Sequence, residues 1–134
     1  MTDGTLESLL TETRSADWAT REQACTAVGD LLPNATIELR LVEMLRDDNL
    51  AVQSAAAEVL VTRGGGHGLE AVLRDLGERA EDPDSDYIAY LLQEFQGLRD
   101  MPILPQGRAI VAEGADKSVS DGLAGLEQLF GRDT

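Results

Sequence analysis

The sequence predicts an all-α fold built from helical hairpins in tandem, on three observations. Residues 6–32 (LESLLTETRSADWATREQACTAVGDLL) align without a gap on residues 38–64 (ELRLVEMLRDDNLAVQSAAAEVLVTRG) at an offset of 32. Within each stretch the apolar residues recur at helical spacing. Strand signals are scarce, with 4% aromatics and few alternating β-branched runs. A period of this length marks a repeat architecture in which neighbouring units bury one another.

Each unit reads as two helices. The first carries Leu6, Leu9 and Leu10 in unit one, Leu41, Val42 and Leu45 in unit two, and Leu69, Val72, Leu73 and Leu76 in unit three. A polar turn follows: Ser15-Ala16-Asp17, Asp47-Asp48-Asn49, then Glu81-Asp82-Pro83-Asp84-Ser85. Asp and Ser there are expected to cap the next helix by accepting its unpaired N–H groups. The second helix sets small residues one turn before a larger apolar one, as in Ala24, Ala27, Val28 and in Ala56, Ala57, Leu60. Small side chains let neighbouring helices approach closely. A further step of 32 puts Ile88, Ala89 and Leu92 at the same positions, although Val52 lands on Asp84, so the third copy is degenerate there. Pro33 and Gly64-Gly65-Gly66 end the second helices, because neither residue type sustains a helix. The predicted hairpins cover about 5–32, 37–64 and 69–98.

Residues 99–134 are less regular and are assigned to the same domain. MPILPQG, with two prolines and Gly107, reads as an ordered connector. RAIVAEGADK (108–117) reads as a short helix, with an edge strand as the alternative. Leu123, Leu126, Leu129 and Phe130 form one stripe after a Ser120 cap. The segment is expected to be a terminal helix covering the apolar face that an open repeat end exposes.

The chain resembles a short HEAT-type, armadillo-like α-solenoid. The resemblance rests on Leu41-Val42-Glu43-Met44-Leu45-Arg46-Asp47-Asp48 followed by Val52-Gln53-Ser54-Ala55-Ala56-Ala57-Glu58-Val59-Leu60. The family pattern is a Leu-rich helix, an acidic turn, then V-R-x-x-A-A-x-x-L. Arg21 supplies the arginine in unit one, Gln53 replaces it in unit two, and unit three has neither the Val nor the Arg. The resemblance covers about residues 5–98. It implies a short right-handed α-α superhelix of about three hairpins with C-terminal capping helices, serving as a non-enzymatic protein-binding surface. An unrelated helical bundle is the alternative.

Length and charge bound the function. The 134 residues suit one domain with a core of its own. Twenty-five acidic against eleven basic residues give a net charge of -14 and a pI near 4.2. Nucleic acid and anionic membrane surfaces are therefore disfavoured partners, and a basic protein is the favoured one. The excess is concentrated in residues 1–98, with 7 basic and 19 acidic residues, against 4 and 6 in residues 99–134. The lone Cys25 excludes an internal disulfide and fits a reducing compartment. The start MTDGTLESLL has neither the basic nor the apolar region of a signal peptide, and no apolar run approaches the roughly 18 residues of a membrane span. Ten arginines to one lysine hint at a GC-rich genome. A cytoplasmic, bacterial protein is expected.

Sites for chemistry are poor. Gly64-Gly65-Gly66-His67-Gly68 lacks the Lys-Ser/Thr of a phosphate loop and follows a helix, not a strand, so it reads as a flexible linker. His67 is the only histidine, and neither a metal site nor a catalytic pair is expected around it. Asp82-Pro83-Asp84-Ser85-Asp86 opens like a calcium loop, but Tyr87 replaces the required Gly and Gln93 the closing Glu. Cys25 aligns with Ala57 and Ala89, a core position. No catalytic residue, metal or cofactor is assigned.

Two acidic surfaces are the candidates for binding. Stepping the polar row of the second helices by 32 gives Glu22, Thr26, Asp30; Ser54, Glu58, Thr62; and Asp86, Tyr90, Glu94, with five carboxylates, one Tyr and no basic residue. In solenoids of the resembled type the second helices line the concave face, so Glu22, Asp30, Glu58, Asp86, Tyr90 and Glu94 are expected to meet a basic partner there. Tyr suits an anchoring role and the carboxylates suit Lys or Arg. A secondary patch comprises Asp75, Glu78, Glu81, Asp82 and Asp84. The expectation is an immunity protein or antitoxin that blocks a basic toxin such as a nuclease effector. The alternatives are a general scaffold or regulatory subunit and, on the same frame, an enzyme: a DNA glycosylase, which needs a basic groove, or a lyase.

Overall fold

The computed structural model describes residues 3–131, and helices are the only regular elements among them. They are α1 (Asp3–Glu12), α2 (Trp18–Gly29), α3 (Ala35–Met44), α4 (Leu50–Arg63), α5 (Gly65–Glu78), α6 (Ser85–Leu98), α7 (Ile103–Ala112) and α8 (Lys117–Gly131). The chain divides into two compact units, one running through Gly68 and the other starting at Leu69.

In the first unit α2 packs along α4, α3 packs on α4, and α1 packs on α2. Val28 and Leu60, one period apart, are both fully buried, as are Ala56 and Ala57, and Ala24 is nearly so. Ile37, Leu41 and Met44 supply the inner face of α3, and buried Leu45 follows at its C-cap. The free end of α1 is fastened by Arg40, whose Nε and Nη2 donate to the hydroxyl (3.0 Å) and carbonyl (2.8 Å) of buried Thr13. That interaction satisfies an end carbonyl that no helical N–H reaches.

The caps differ from those expected. Asn49, not Asp47 or Asp48, caps α4 by accepting from the Ala51 and Val52 amides, and Asn34 caps α3 by accepting from the Ile37 amide. Asp17 stands at the α2 N-cap without accepting a backbone amide, its carboxylate instead taking the Thr20 hydroxyl at 2.8 Å. Asp47 turns inward: Arg21 Nε and Nη2 donate to its two oxygens at 3.0 and 2.9 Å.

A repeating tie appears at one position of each second helix. Arg21 donates to the carbonyl of Ser15 (2.9 Å), Gln53 to that of Asp47 (2.6 Å) and Ser85 to that of Arg79 (3.0 Å). Each acceptor lies six residues upstream, so three different side chains spaced by the 32-residue period pin the same carbonyl of the interhelical turn. Ser85 fills the place that the degenerate third copy left without an arginine.

Three local expectations are corrected. The glycine run is not a flexible linker: only Gly64 separates α4 from α5, and Gly65 to Gly68 form the first turn of α5. Gly65 takes φ +64°, a conformation that favours glycine, and a Cβ on Gly68 would overlap the Leu60 carbonyl, so the junction forms only where no side chain obstructs it. The connector MPILPQG is helical from Ile103 onward. Pro105 falls in the first turn of α7, where its missing N–H costs nothing, and Gln96 accepts the Leu104 amide at 2.8 Å. Asp116, not Ser120, caps α8, accepting from the Val119 amide at 3.1 Å. The segment 108–117 contributes the end of α7, which stops before Gly114 at φ +102°.

In the second unit Leu69, Val72 and Leu73 of α5, Ile88, Leu92 and Phe95 of α6, Ile103 of α7, and Val119, Leu123, Leu126 and Phe130 of α8 make the core. Gly77 of α5 and Gly122 of α8 meet there. A Cβ on either would overlap a main-chain carbonyl of the other helix, that of Ser118 or Leu73 respectively.

Candidate functional site

The outer row of each second helix is set by the face that the core leaves free. On α2, Ala24, Cys25 and Val28 turn inward, leaving Glu22 half-buried and Thr26 and Asp30 exposed. On α4, Ser54 and Glu58 are half-buried and Thr62 is exposed. The row of this unit is not free of cations: Arg63, at the end of α4, reaches Asp30 at 2.8 Å and the Thr26 carbonyl at 3.2 Å. Stepping by 32 from Asp30 reaches Thr62 and misses Arg63 by one residue.

On α6, buried Ile88, Leu92 and Phe95 leave Asp86, Tyr90 and Glu94 exposed on the opposite side, with Tyr90 55% accessible. Here the three row residues stand in solvent together, spaced one turn apart.

The secondary patch divides. Asp75 is buried and holds Arg79 at 3.0 Å, while Asp82 takes the other guanidinium nitrogen at 3.2 Å. Asp75 lies on α5 and Arg79 in the turn just after it, and the pair braces the turn into α6. Asp82 also accepts the Asp84 amide at 2.9 Å. Glu78, Glu81 and Asp84 remain exposed.

The second unit contains a cleft of about 340 Å³ between α5, α6 and α8. Asp86 and Tyr90 line it from α6, and Asp121 and Gly125 line it from α8. Leu126 and Leu129 supply apolar lining. Asp121 carries an ion pair with exposed Lys117 at 2.7 Å. Asp121 and the glycines of α8 have no counterpart in the repeat, so the 32-residue comparison does not reach them. Their signal in the sequence is the small-residue spacing Gly122-x-x-Gly125 inside an otherwise leucine-striped helix.

Chemistry is sparse in this arrangement. Burial pushes the Cys25 thiol up to about 12, and the side chain is sealed beside the Met44 sulfur at 3.7 Å. A thiol so placed is a core group, since the thiolate is the nucleophile. His67 is exposed on the first turn of α5. Among the described residues no three His, Cys, Asp or Glu side chains gather as a metal site. No helix among them is long and apolar enough to cross a membrane.

Tandem two-helix repeats whose equivalent positions Val28, Leu60 and Leu92 are each buried define a helical-repeat protein of the solenoid-like, all-α class. The family model for HEAT repeats matches residues 6–94, and the chain belongs to that family. Searches among curated proteins and among solved structures return no match. HEAT repeats are generally protein-interaction scaffolds and typically non-enzymatic.

Proposed function

We propose that this chain is a non-enzymatic binding module that docks a basic protein on the acidic outer rows of its second helices. In its specific form it is an immunity protein or antitoxin that covers the working surface of a basic toxin, such as a nuclease effector, inside the cytoplasm of a bacterium. The observation that carries the reading is the row Asp86, Tyr90 and Glu94, which presents an aromatic between two carboxylates in full view of solvent. Exposed Glu81 and Asp84 extend the negative field of this unit, and Glu22 and Glu58 give the second helices of the other unit an acidic row of their own. A field of this sign steers a cationic partner and rejects nucleic acid.

Affinity capture from the source cell, with mass spectrometry of what is retained, tests this. The expected prey is a protein of basic pI that dissociates as salt rises, and whose capture falls sharply when Asp86→Lys and Glu94→Lys are combined. The control Glu113→Lys, an exposed acid on another helix, leaves capture unchanged. Retention of acidic proteins alone, or binding indifferent to salt, refutes the proposal. A neighbouring gene for a large secreted protein with a basic C-terminal domain separates the immunity role from that of a general scaffold.

A further inference from the structure

We infer that the cleft between α5, α6 and α8 is a receptor for an arginine side chain presented by the partner protein. The inference rests on the acidic-docking reading above and gives it a specific anchor point.

The repeat frame locates the cleft. Cys25 and Ala57, equivalent positions of the first two second helices, are fully buried. Their third equivalent, Ala89, is only half-buried and lines the cleft. Small residues keep the space open: a Cβ on Gly125 would meet no atom within 4 Å. The volume, about 340 Å³, is at the small end of ligand pockets and accepts a long side chain with part of its neighbour.

The lining selects the occupant by charge and shape. Both charged residues on the wall, Asp86 and Asp121, are carboxylates, and they come from different helices. Tyr90 stands one turn from Asp86 with most of its ring accessible. Leu129 and Ala89 offer apolar surface to a methylene stem. A long cationic side chain satisfies all three features, burying its stem while its head stays at the acidic rim. Arginine fits better than lysine, because a planar guanidinium stacks on a phenol ring and bridges carboxylates through paired N–H donors. Lys117, which pairs with Asp121, is 86% exposed and swings away without opening any buried group.

The test is an NMR titration of the ¹⁵N-labelled full chain with acetyl-Leu-Arg-Leu-amide, beside the same peptide carrying citrulline or lysine. The arginine peptide is expected to shift the amides of Ala89, Tyr90, Gly122 and Gly125 first and to bind about tenfold more tightly than the citrulline peptide. Gly125→Leu fills the space and abolishes these shifts. Tyr90→Ala, at an exposed position that the fold does not need, weakens the arginine peptide more than the lysine peptide. Equal binding of citrulline, tighter binding of lysine, or indifference to Tyr90→Ala overturns the arginine receptor. Shifts spread evenly over the acidic residues of both units also overturn it, yet leave the wider acidic-docking reading standing. Failure of the unaltered chain to capture any basic protein sinks that wider reading instead.

Discussion

Arg21 grips Asp47 through two parallel hydrogen bonds of 3.0 and 2.9 Å, joining the second helix of one hairpin to the turn of the next. Both side chains are largely buried, at 13% and 10% exposure. The guanidinium also reaches Asp48 at 3.1 Å and the Ser15 carbonyl at 2.9 Å, so it ties two successive turns together. Arg21→Lys keeps the charge but cannot reproduce the fork. Thermal unfolding followed by circular dichroism is expected to show a Tm lower by several degrees. Asp48→Asn, at a side chain 93% exposed, is expected to leave Tm nearly unchanged.

The same pair makes acid stability depend on Asp47. Burial raises its pKa, but hydrogen bonds from Arg21 and the Asn49 amide outweigh that and hold the carboxyl below its ordinary 3.8. The folded state therefore binds fewer protons than the unfolded chain in this range. The contribution is complete above about pH 4 and is lost as pH falls through the depressed folded value. Asp116, held down by the Val119 amide and Arg74, behaves in the same sense in the other unit. Denaturant midpoints measured from neutral pH downward should stay level and then drop below about pH 4. Asp47→Asn should lower the midpoint at neutral pH and flatten the acid limb. An unchanged acid limb would contradict the assignment.

The contact between Gly77 and Gly122 predicts opposite outcomes for one substitution at different glycines. Gly77→Ala and Gly122→Ala drive a methyl into main-chain carbonyls that cannot rotate away, so helices α5 and α8 must separate. A loss of about 1–3 kcal/mol is expected in urea unfolding, which is the usual cost of overpacking. Gly97→Ala, within α6 and with nothing within 4 Å of the added carbon, should stabilise by up to about 1 kcal/mol. Equal effects at the three sites would show that the helices are not in close approach.

Burial at the repeat positions predicts where truncation hurts. Leu60 is fully buried and shares its place in the period with Val28 and Leu92. Leu60→Ala should cost about 2–5 kcal/mol, by lost transfer energy and an unfilled cavity. Leu39→Ala, at a side chain 69% exposed on α3, should change stability by no more than about 0.5 kcal/mol.

Those core positions were legible because burial repeats with the chain's own period: Val28, Leu60 and Leu92 are apolar in the sequence and sealed in the structure. What escaped has specific physical reasons. Gly65 to Gly68 read as a linker because helix propensity penalises glycine, yet close approach of Gly68 to the Leu60 carbonyl demands it. Pro105 read as a connector because proline breaks helix interiors, whereas a first turn tolerates it. Arg63 was invisible beside Asp30, since a row drawn at a fixed step cannot see a long side chain crossing from the adjacent helix. Asp121 and Gly125 join Asp86 and Tyr90 only through the packing of α8, which lies outside the repeat.

The placement of Cys25 predicts its reactivity. Its side chain is inaccessible, and burial lifts the thiol to about 12, so the folded protein carries almost no thiolate near pH 8. Reaction with a disulfide reagent then has to wait for the chain to open, and its rate reports that opening. In the folded protein, labelling is expected to be slower than in urea by several orders of magnitude. Leu60→Ala, which loosens the same core, should accelerate it, while Gly77→Ala, in the other compact unit, should accelerate it less. Labelling of the folded protein at the rate of the denatured chain would mean that Cys25 is accessible, and the packing of α2 described above would be wrong.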